Sequence, residues 1–315
     1  MEENVKQPIV LEKLLTVSSS PHIRSNETTR RIMLDVIIAL VPAGLASVYF
    51  FGIRALLLIL ASVVSAVAAE YLSGKIFKRP TTIGDLSAVV TGILLAYNVP
   101  VSLPLYMVVF GSFFAIIVVK QFFGGIGSNF MNPALAARAV LVASWPAAMS
   151  AFTRPMTDLV SMATPLAGGP SLSIMDMFIG KMPGSLGEVS SLAILIGLIY
   201  LLVRKVITIR IPAIYIVTTL VLMIVFGTPF DQLYVQLLGG GLLLGAVFMA
   251  TDYSSSPSTA KGQVIFALGC GIITAVIRKF GGFPEGVSYS ILLMNSATPL
   301  IEKLTVGAAF GGAKK

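Results

Sequence analysis

The chain has 315 residues, 56% of them hydrophobic and only 11% charged, with a mean hydropathy of +0.92. A typical soluble domain carries about a quarter charged residues. That balance excludes an ordinary soluble globule and marks an all-α polytopic membrane protein. The net charge of +8 is absorbed by membrane topology below and does not point to nucleic acid.

Residues 1–31 form a polar, basic arm without a short apolar core followed by a small-residue cleavage site, so the first span is expected to direct insertion. Within it, Ser20-Pro21-His22-Ile23 sets a turn before the membrane, and His22 suits either a structural role or a contact to cofactor or partner. Apolar runs of about 17–25 residues cross a ~30 Å hydrocarbon core as helices. Five such runs are read at 32–51, 55–77, 86–98, 103–120 and 133–149. They make a first membrane half over 32–149. Asp35 and Glu70 are expected near the inner interface, where solvation is cheap. Asp85, after Thr81-Thr82-Ile83-Gly84, reads as a helix N-cap.

A polar loop over 150–188 follows, then a second half over 189–302 with runs at 190–203, 212–226, 233–250, 264–278 and 285–301, and a tail over 303–315. Asp231, after Pro229, reads as a turn residue. Gly239-Gly240-Gly241 lies inside an apolar run and is expected to permit close helix approach. Several runs are short for a crossing. Tilt or thinning accommodates that, and Gly/Pro punctuation favours helices broken inside the bilayer.

Charge orients the set. With a cytoplasmic N-terminus, sixteen Lys and Arg residues fall inside, against five outside (Arg54, Arg154, Lys181, Arg278 and Lys279), with Arg138 left within a span. This obeys the positive-inside rule and predicts a multi-pass protein of the cell (cytoplasmic) membrane with the 150–188 loop on its outer face. The pair Arg278-Lys279 breaks the pattern, which calls for burial against a partner or a different end to the ninth span.

VKQFFGG at 119–125 and VIRKFGG at 276–282 share a valine, a phenylalanine and two glycines at an offset of 157. Each closes the fourth span of its half. Because five spans per half is odd, the second copy enters the membrane inverted. The expected fold has about ten transmembrane helices in two inverted five-helix halves.

Cys270 and His22 are the only residues of their types. A cluster or zinc site made by this chain alone needs about four such ligands, and a disulfide within the chain is impossible. Cys270 reads as helix packing. No paired acid and base, Walker or dinucleotide glycine motif appears, so ATP-driven transport and direct NAD(H) binding have no support. Arg138 lies in an apolar span, where an unpaired charge is costly. It meets either a cluster of backbone carbonyls or an anionic cofactor group, and Asp252 and Glu285 are comparable candidates.

One polar island remains, Asp158-Leu159-Val160-Ser161-Met162-Ala163-Thr164-Pro165. It resembles the signature at which an FMN transferase attaches flavin to threonine through a phosphoester: an Asp, then Ser/Thr-x-Ala-Thr. In that pattern x is commonly glycine; here it is Met162. The attachment needs an accessible hydroxyl on flexible backbone, and Ser161, Ala163 and Pro165 provide small or turn-forming neighbours. Asn295-Ser296-Ala297-Thr298-Pro299 repeats the Ala-Thr-Pro ending. It lacks an acid six residues before Thr298 and has Asn295 in place of the serine, so Thr164 is the better site.

Together with this octet, Ser20-Pro21-His22-Ile23, the run Gly124-Gly125-Ile126-Gly127-Ser128-Asn129 leading into Asn132-Pro133-Ala134-Leu135, Ala250-Thr251-Asp252, and Phe280-Gly281-Gly282-Phe283-Pro284-Glu285-Gly286-Val287 look like one family across nearly the whole chain. The chain resembles the D subunits of Rnf ion-translocating electron transport complexes, and the related B subunits of sodium-translocating NADH:quinone oxidoreductases. The resemblance implies a urea-transporter-like fold and FMN covalently bound to Thr164, with Asp158, Ser161 and Ala163 as its motif and Arg138 as a candidate contact. It also implies a second, noncovalent riboflavin, the other Rnf subunits as partners including one with a second FMN, and an FMN transferase for maturation. The complexes couple electron flow between ferredoxin and NAD to sodium or proton movement. The glycines of the two quoted runs bend backbone at membrane depth, tolerable where it is buried in protein or faces a cavity. A solute channel or transporter is the competing class, because one fold hosts many functions.

Overall fold

The computed structural model describes residues 27–79, 82–156, 161–169, 172–281 and 286–307. His22, Asp158 and Glu285 lie outside the described residues. Helix α1 (Thr29–Phe51) starts where the Thr28 hydroxyl accepts from the Arg31 amide at 3.3 Å and ends at Gly52, with φ 71°. Its buried face carries Asp35, Ala39, Leu40, Ala43, Ser47 and Phe50, while Leu34, Ile38, Val41, Leu45 and Tyr49 are exposed. A helix apolar on its outer face as well as its inner one belongs in lipid.

Helix α2 (Ile53–Ile76) packs on α3 (Ser87–Tyr97) and on α4 (Leu105–Phe113), which continues as a π-helix over Phe114–Gln121. The approach of α2 to α3 is close because Gly92 has no side chain; a Cβ there would come within 2.8 Å of Val63 Cα. The N-cap of α3 is Leu86 rather than the expected Asp85, which stands one residue earlier at the end of a 3-10 turn, its carboxylate accepting the Ser87 amide at 2.8 Å. Helix α5 (Pro133–Ser144) opens with Pro133 in its first turn and the Asn132 side chain accepting from Ala134 and Leu135. This pairing of cap and proline is a strong helix start.

The loop that follows holds α6 (Pro146–Met149), α7 (Ile174–Ile179) and a small antiparallel pair, β1 (Phe152–Thr153) and β2 (Ser161–Met162), in the register Phe152↔Met162 and Thr153↔Ser161. The second membrane block is α8 (Ser191–Val203), α9 (Arg210–Val225), α10 (Leu233–Leu238), α11 (Leu242–Leu244, continued as a π-helix over Gly245–Met249), α12 (Ala260–Phe280) and α13 (Val287–Thr305). Helices α8, α9, α11, α12 and α13 each begin within five residues of a 157-residue offset from α1 to α5. Counterparts also touch: α1 packs on α8, and α5 on α13. The Asn98 amide after α3 lies 3.5 Å from Sδ of Met249, the last residue of the π-helix that continues α11.

Among the described residues, three single helices are long and apolar enough to cross a membrane, and Phe230–Leu238 with Leu242–Met249 forms a fourth candidate bent by 56°. Shorter apolar helices include α3, at 11 residues; at ~1.5 Å per residue it covers about half a hydrocarbon core. The run at 233–250 was expected as one helix with glycines for packing. It is broken instead, because Gly240 and Gly241 take φ 64° and 67°, a left-handed conformation an α-helix cannot continue through.

Two further expectations change. Asp35 and Glu70 are buried, at 4% and 1% exposure, rather than solvated at an interface. Burial is tolerable because each is paired: Asp35 with Arg204 at 3.0 Å and Tyr200 at 2.8 Å, Glu70 with Lys120 at 2.6 Å. Arg278 also turns inward, donating to the carbonyls of Gln236, Gly239 and Gly240 at 2.5, 3.1 and 3.4 Å. These are the carbonyls that the break strips of helical partners, which explains a cation where the charge rule disfavours one.

Candidate cofactor site

The 150–188 loop folds against the protein. Its last stretch, 182–188, is wholly buried: the Leu186 amide donates to Val99 O at 3.1 Å, and the Leu186 carbonyl accepts from Ser47 Oγ at 2.5 Å. Earlier in the loop, Thr164 starts a short 3-10 turn over Pro165–Ala167, and its carbonyl accepts from the amides of Ala167 and Gly169 at 2.9 and 3.0 Å. Gly169 permits this tight fold, since a Cβ there would sit 2.2 Å from Ala163 O.

Thr164 is 5% exposed. The expectation of an accessible hydroxyl is therefore corrected: the loop is packed down, with Leu166 reaching to Gly239 and Gly240, where added Cβ atoms would meet its Cδ1 at 2.7 and 3.0 Å. The residue nonetheless lines a cavity of ≈ 470 Å³. Ala163, Thr164 and Ala167 form one wall, Arg138, Ala139 and Val142 of α5 another, and Gly286, Ser288 and Tyr289 at the start of α13 a third, with Met149 and Phe152 between. Such a volume, apolar with a few polar groups, is in the range of small-molecule sites, about 300–1,000 Å³.

Thr164, Ala163 and Arg138, separated in sequence, are thus brought to one cavity. Arg138 is 8% exposed, and its Nη1 donates to Ser288 Oγ. A buried guanidinium beside a threonine in an apolar chamber suits an anionic, aromatic ligand: the cation meets phosphate or an electron-rich ring, and the walls take the ring. Ser161 pairs with Thr153 in the small sheet, so the motif's first serine anchors the loop's base.

Other candidates lie elsewhere. Asp252 accepts from Ser254 and Ser255 and lines a separate cleft with Lys120, Asn129, Asn132, Ser87 and Thr91. Thr298 sits within α13, its hydroxyl donating to Ser255 O at 3.0 Å and Met294 O at 3.1 Å. Cys270 is buried in packing. Gly124, Gly125 and Gly127 take positive φ in a largely exposed turn, away from the Thr164 cavity. Among the described residues, no group of three or more His, Cys, Asp or Glu could hold a metal ion.

Sequence reasoning missed Ser288 and Tyr289, whose small polar pattern resembles any helix start, and it missed Glu188. For Glu188 a signal existed: Ser185-Leu186-Gly187-Glu188 before an apolar run is a capping box. The structure forms it, with the Ser185 amide donating to Glu188 Oε1 at 2.7 Å.

A model of the NQR2, RnfD, RnfE family matches residues 16–311. The chain is 52% identical to the D subunit of the Na(+)-translocating ferredoxin:NAD(+) oxidoreductase complex of Acetobacterium woodii, over 95% of this chain and 96% of that one. It is 42% identical to the D subunit of the proton-translocating ferredoxin:NAD(+) oxidoreductase complex of Clostridium ljungdahlii, over 96% and 98%. Identity to the D subunit of the ion-translocating oxidoreductase complex of Methanosarcina acetivorans is 35%, over 94% and 97%.

Proposed function

The chain belongs to the NQR2, RnfD, RnfE family, and from that premise we propose that it is the D subunit of an ion-translocating ferredoxin:NAD oxidoreductase complex, carrying FMN bonded through phosphate to Thr164. The observation that carries the cofactor reading is the cavity: Thr164 and Arg138, each singled out for its own chemistry, line the same chamber. The flavin supplies the electron chemistry. This chain's residues do the rest. Thr164 anchors, Arg138 offers a fixed cation to the phosphate or ring, and Ala139, Val142 and Phe152 exclude water.

In this reading the N-terminus is cytoplasmic, the Thr164 loop faces outward, and electrons arrive from the flavin of a partner in the complex. The helix correspondence at an offset of 157 residues and the touching counterpart helices support two inverted halves of the urea-transporter kind. The family resemblance also implies a noncovalent riboflavin; the separate cleft of Asn129, Asn132 and Asp252, at ≈ 80 Å³, is too small for its ring system, so no site is proposed for it. Energetics allow the coupling: moving one charge against 100 mV takes ~2.3 kcal/mol, matched by roughly 50 mV for two electrons on the scale of ~30 mV per 1.4 kcal/mol.

The test is in-gel fluorescence of the denatured chain under ultraviolet light, produced in cells that have the FMN transferase. A fluorescent band that disappears in Thr164→Val supports the reading. A band unaffected by that substitution, or no band at all, sinks it.

A further inference from the structure

Glu188 is 4% exposed and belongs to neither the anchoring motif nor the cavity wall. Its Oε1 is held by the Ser185 amide, and its Oε2 faces the helix break, 3.0 Å from where a Cβ on Gly241 would stand. On the adjoining glycine, a Cβ at Gly240 would stand 2.9 Å from Arg278 Nη2 and 3.0 Å from Leu166 Cδ1. The Glu188 carboxylate, the Arg278 guanidinium and the Thr164 loop therefore converge on one break. Burial pushes the Glu188 carboxyl up, and the Ser185 amide with the charges of Arg138 and Arg278 opposes that rise and favours its ionised form. Half-buried Arg278 and buried Glu188 and Arg138 thus form a group of alternating charge, of which Arg138 lines the cavity.

We propose that Glu188 is a positioning residue that sets the redox potential of the cofactor on Thr164, its negative charge offsetting the two arginines; this rests on Thr164 carrying FMN. When the ring takes two electrons and one proton, it gains one net negative charge. The electrons come from the complex's reduced partner, or from dithionite in a titration. A nearby cation favours that reduced form and a nearby anion disfavours it, and the effect extends further in a low-dielectric interior than in water. Glu188 thus holds the potential below the value the arginines alone would set. Its carboxylate also faces the backbone on which Leu166 rests, so the residue that balances the charge also supports the loop.

The experiment is a reductive titration of the covalent flavin in the purified complex, followed by absorbance, for wild type, Glu188→Gln, Glu188→Asp and Arg278→Gln. In Glu188→Gln the reduced-to-oxidised ratio at fixed applied potential should rise about tenfold, equivalent to ~30 mV for a two-electron couple. Glu188→Asp should restore the wild-type value, and Arg278→Gln should shift the ratio the opposite way. A purely packing role cannot produce opposed signs. An unchanged potential in Glu188→Gln with flavin retained, or shifts of one sign in both neutralising variants, overturns the proposal. Should Glu188→Gln fail to assemble, the Arg278→Gln titration decides alone: a downward shift supports the proposal, and an unchanged potential overturns it. Absence of a Thr164-dependent fluorescent band in wild type overturns instead the reading beneath it.

Discussion

Arg138 of α5 donates to the hydroxyl of Ser288 of α13, joining these two helices at the wall of the Thr164 cavity. Both residues are buried, at 8% and 4% exposure. The two helices start within five residues of a 157-residue offset, and the cavity lies between them. A ligand there touches both and is sensitive to how they sit against each other.

Ser288→Ala removes an acceptor from a buried cation. Hydrogen bonds to charged groups contribute about 1.5–3 kcal/mol, so thermal unfolding in detergent should show destabilisation of that order. If Thr164 carries the proposed FMN, the fluorescent band should survive, because Thr164 is untouched. Stability equal to wild type would mean the two helices are held by other contacts.

Gly169 is the position where the Thr164 loop is most exposed to backbone disruption. Any side chain there collides with main-chain atoms, at 2.2 Å from Ala163 O and 2.7 Å from Thr164 O, and main chain cannot step aside as a flexible side chain can. Gly169→Val should displace the anchor and cut the fluorescence per chain several-fold. Gly168→Asn is the control, since Gly168 has φ 81° with open space around its missing Cβ, and asparagine tolerates that conformation. Fluorescence per chain unchanged in Gly169→Val would show that the loop's fold has no bearing on flavin attachment.

Thr164 and Arg138 were legible because each is chemically out of place, one in a polar island between apolar blocks, the other a cation inside a span. Two short matching segments give an offset of 157, and five helix pairs start within five residues of that offset. The break at residues 239–241 was not legible, because a glycine triplet serves close packing and positive φ equally well. Nor was the burial of Asp35 and Glu70, whose partners Arg204 and Lys120 lie 169 and 50 residues away. The packing-down of Thr164 depends on Leu166 finding Gly239, a contact between separate elements that local pattern cannot reveal.

The Glu70–Lys120 pair gives the sharpest stability test. Lys120 Nζ donates to Glu70 Oε1 at 2.6 Å and to Ser87 Oγ at 2.6 Å, and the same carboxylate oxygen accepts from Thr82 at 2.7 Å and Gln121 at 3.2 Å. The side chains are 3% and 1% exposed, so neither charge can turn to water when its partner is removed. Breaking a buried pair from one side costs about 3–5 kcal/mol, whereas replacing both partners with apolar groups is often near neutral. Lys120→Met should therefore lower thermal stability in detergent strongly, and Glu70→Leu with Lys120→Met should recover much of the loss. Recovery will be incomplete, because the double variant strips Thr82 and Gln121 of their acceptor. If the double variant is as unstable as the single, the pair's worth lies in the surrounding hydrogen-bond network, with the charge match secondary.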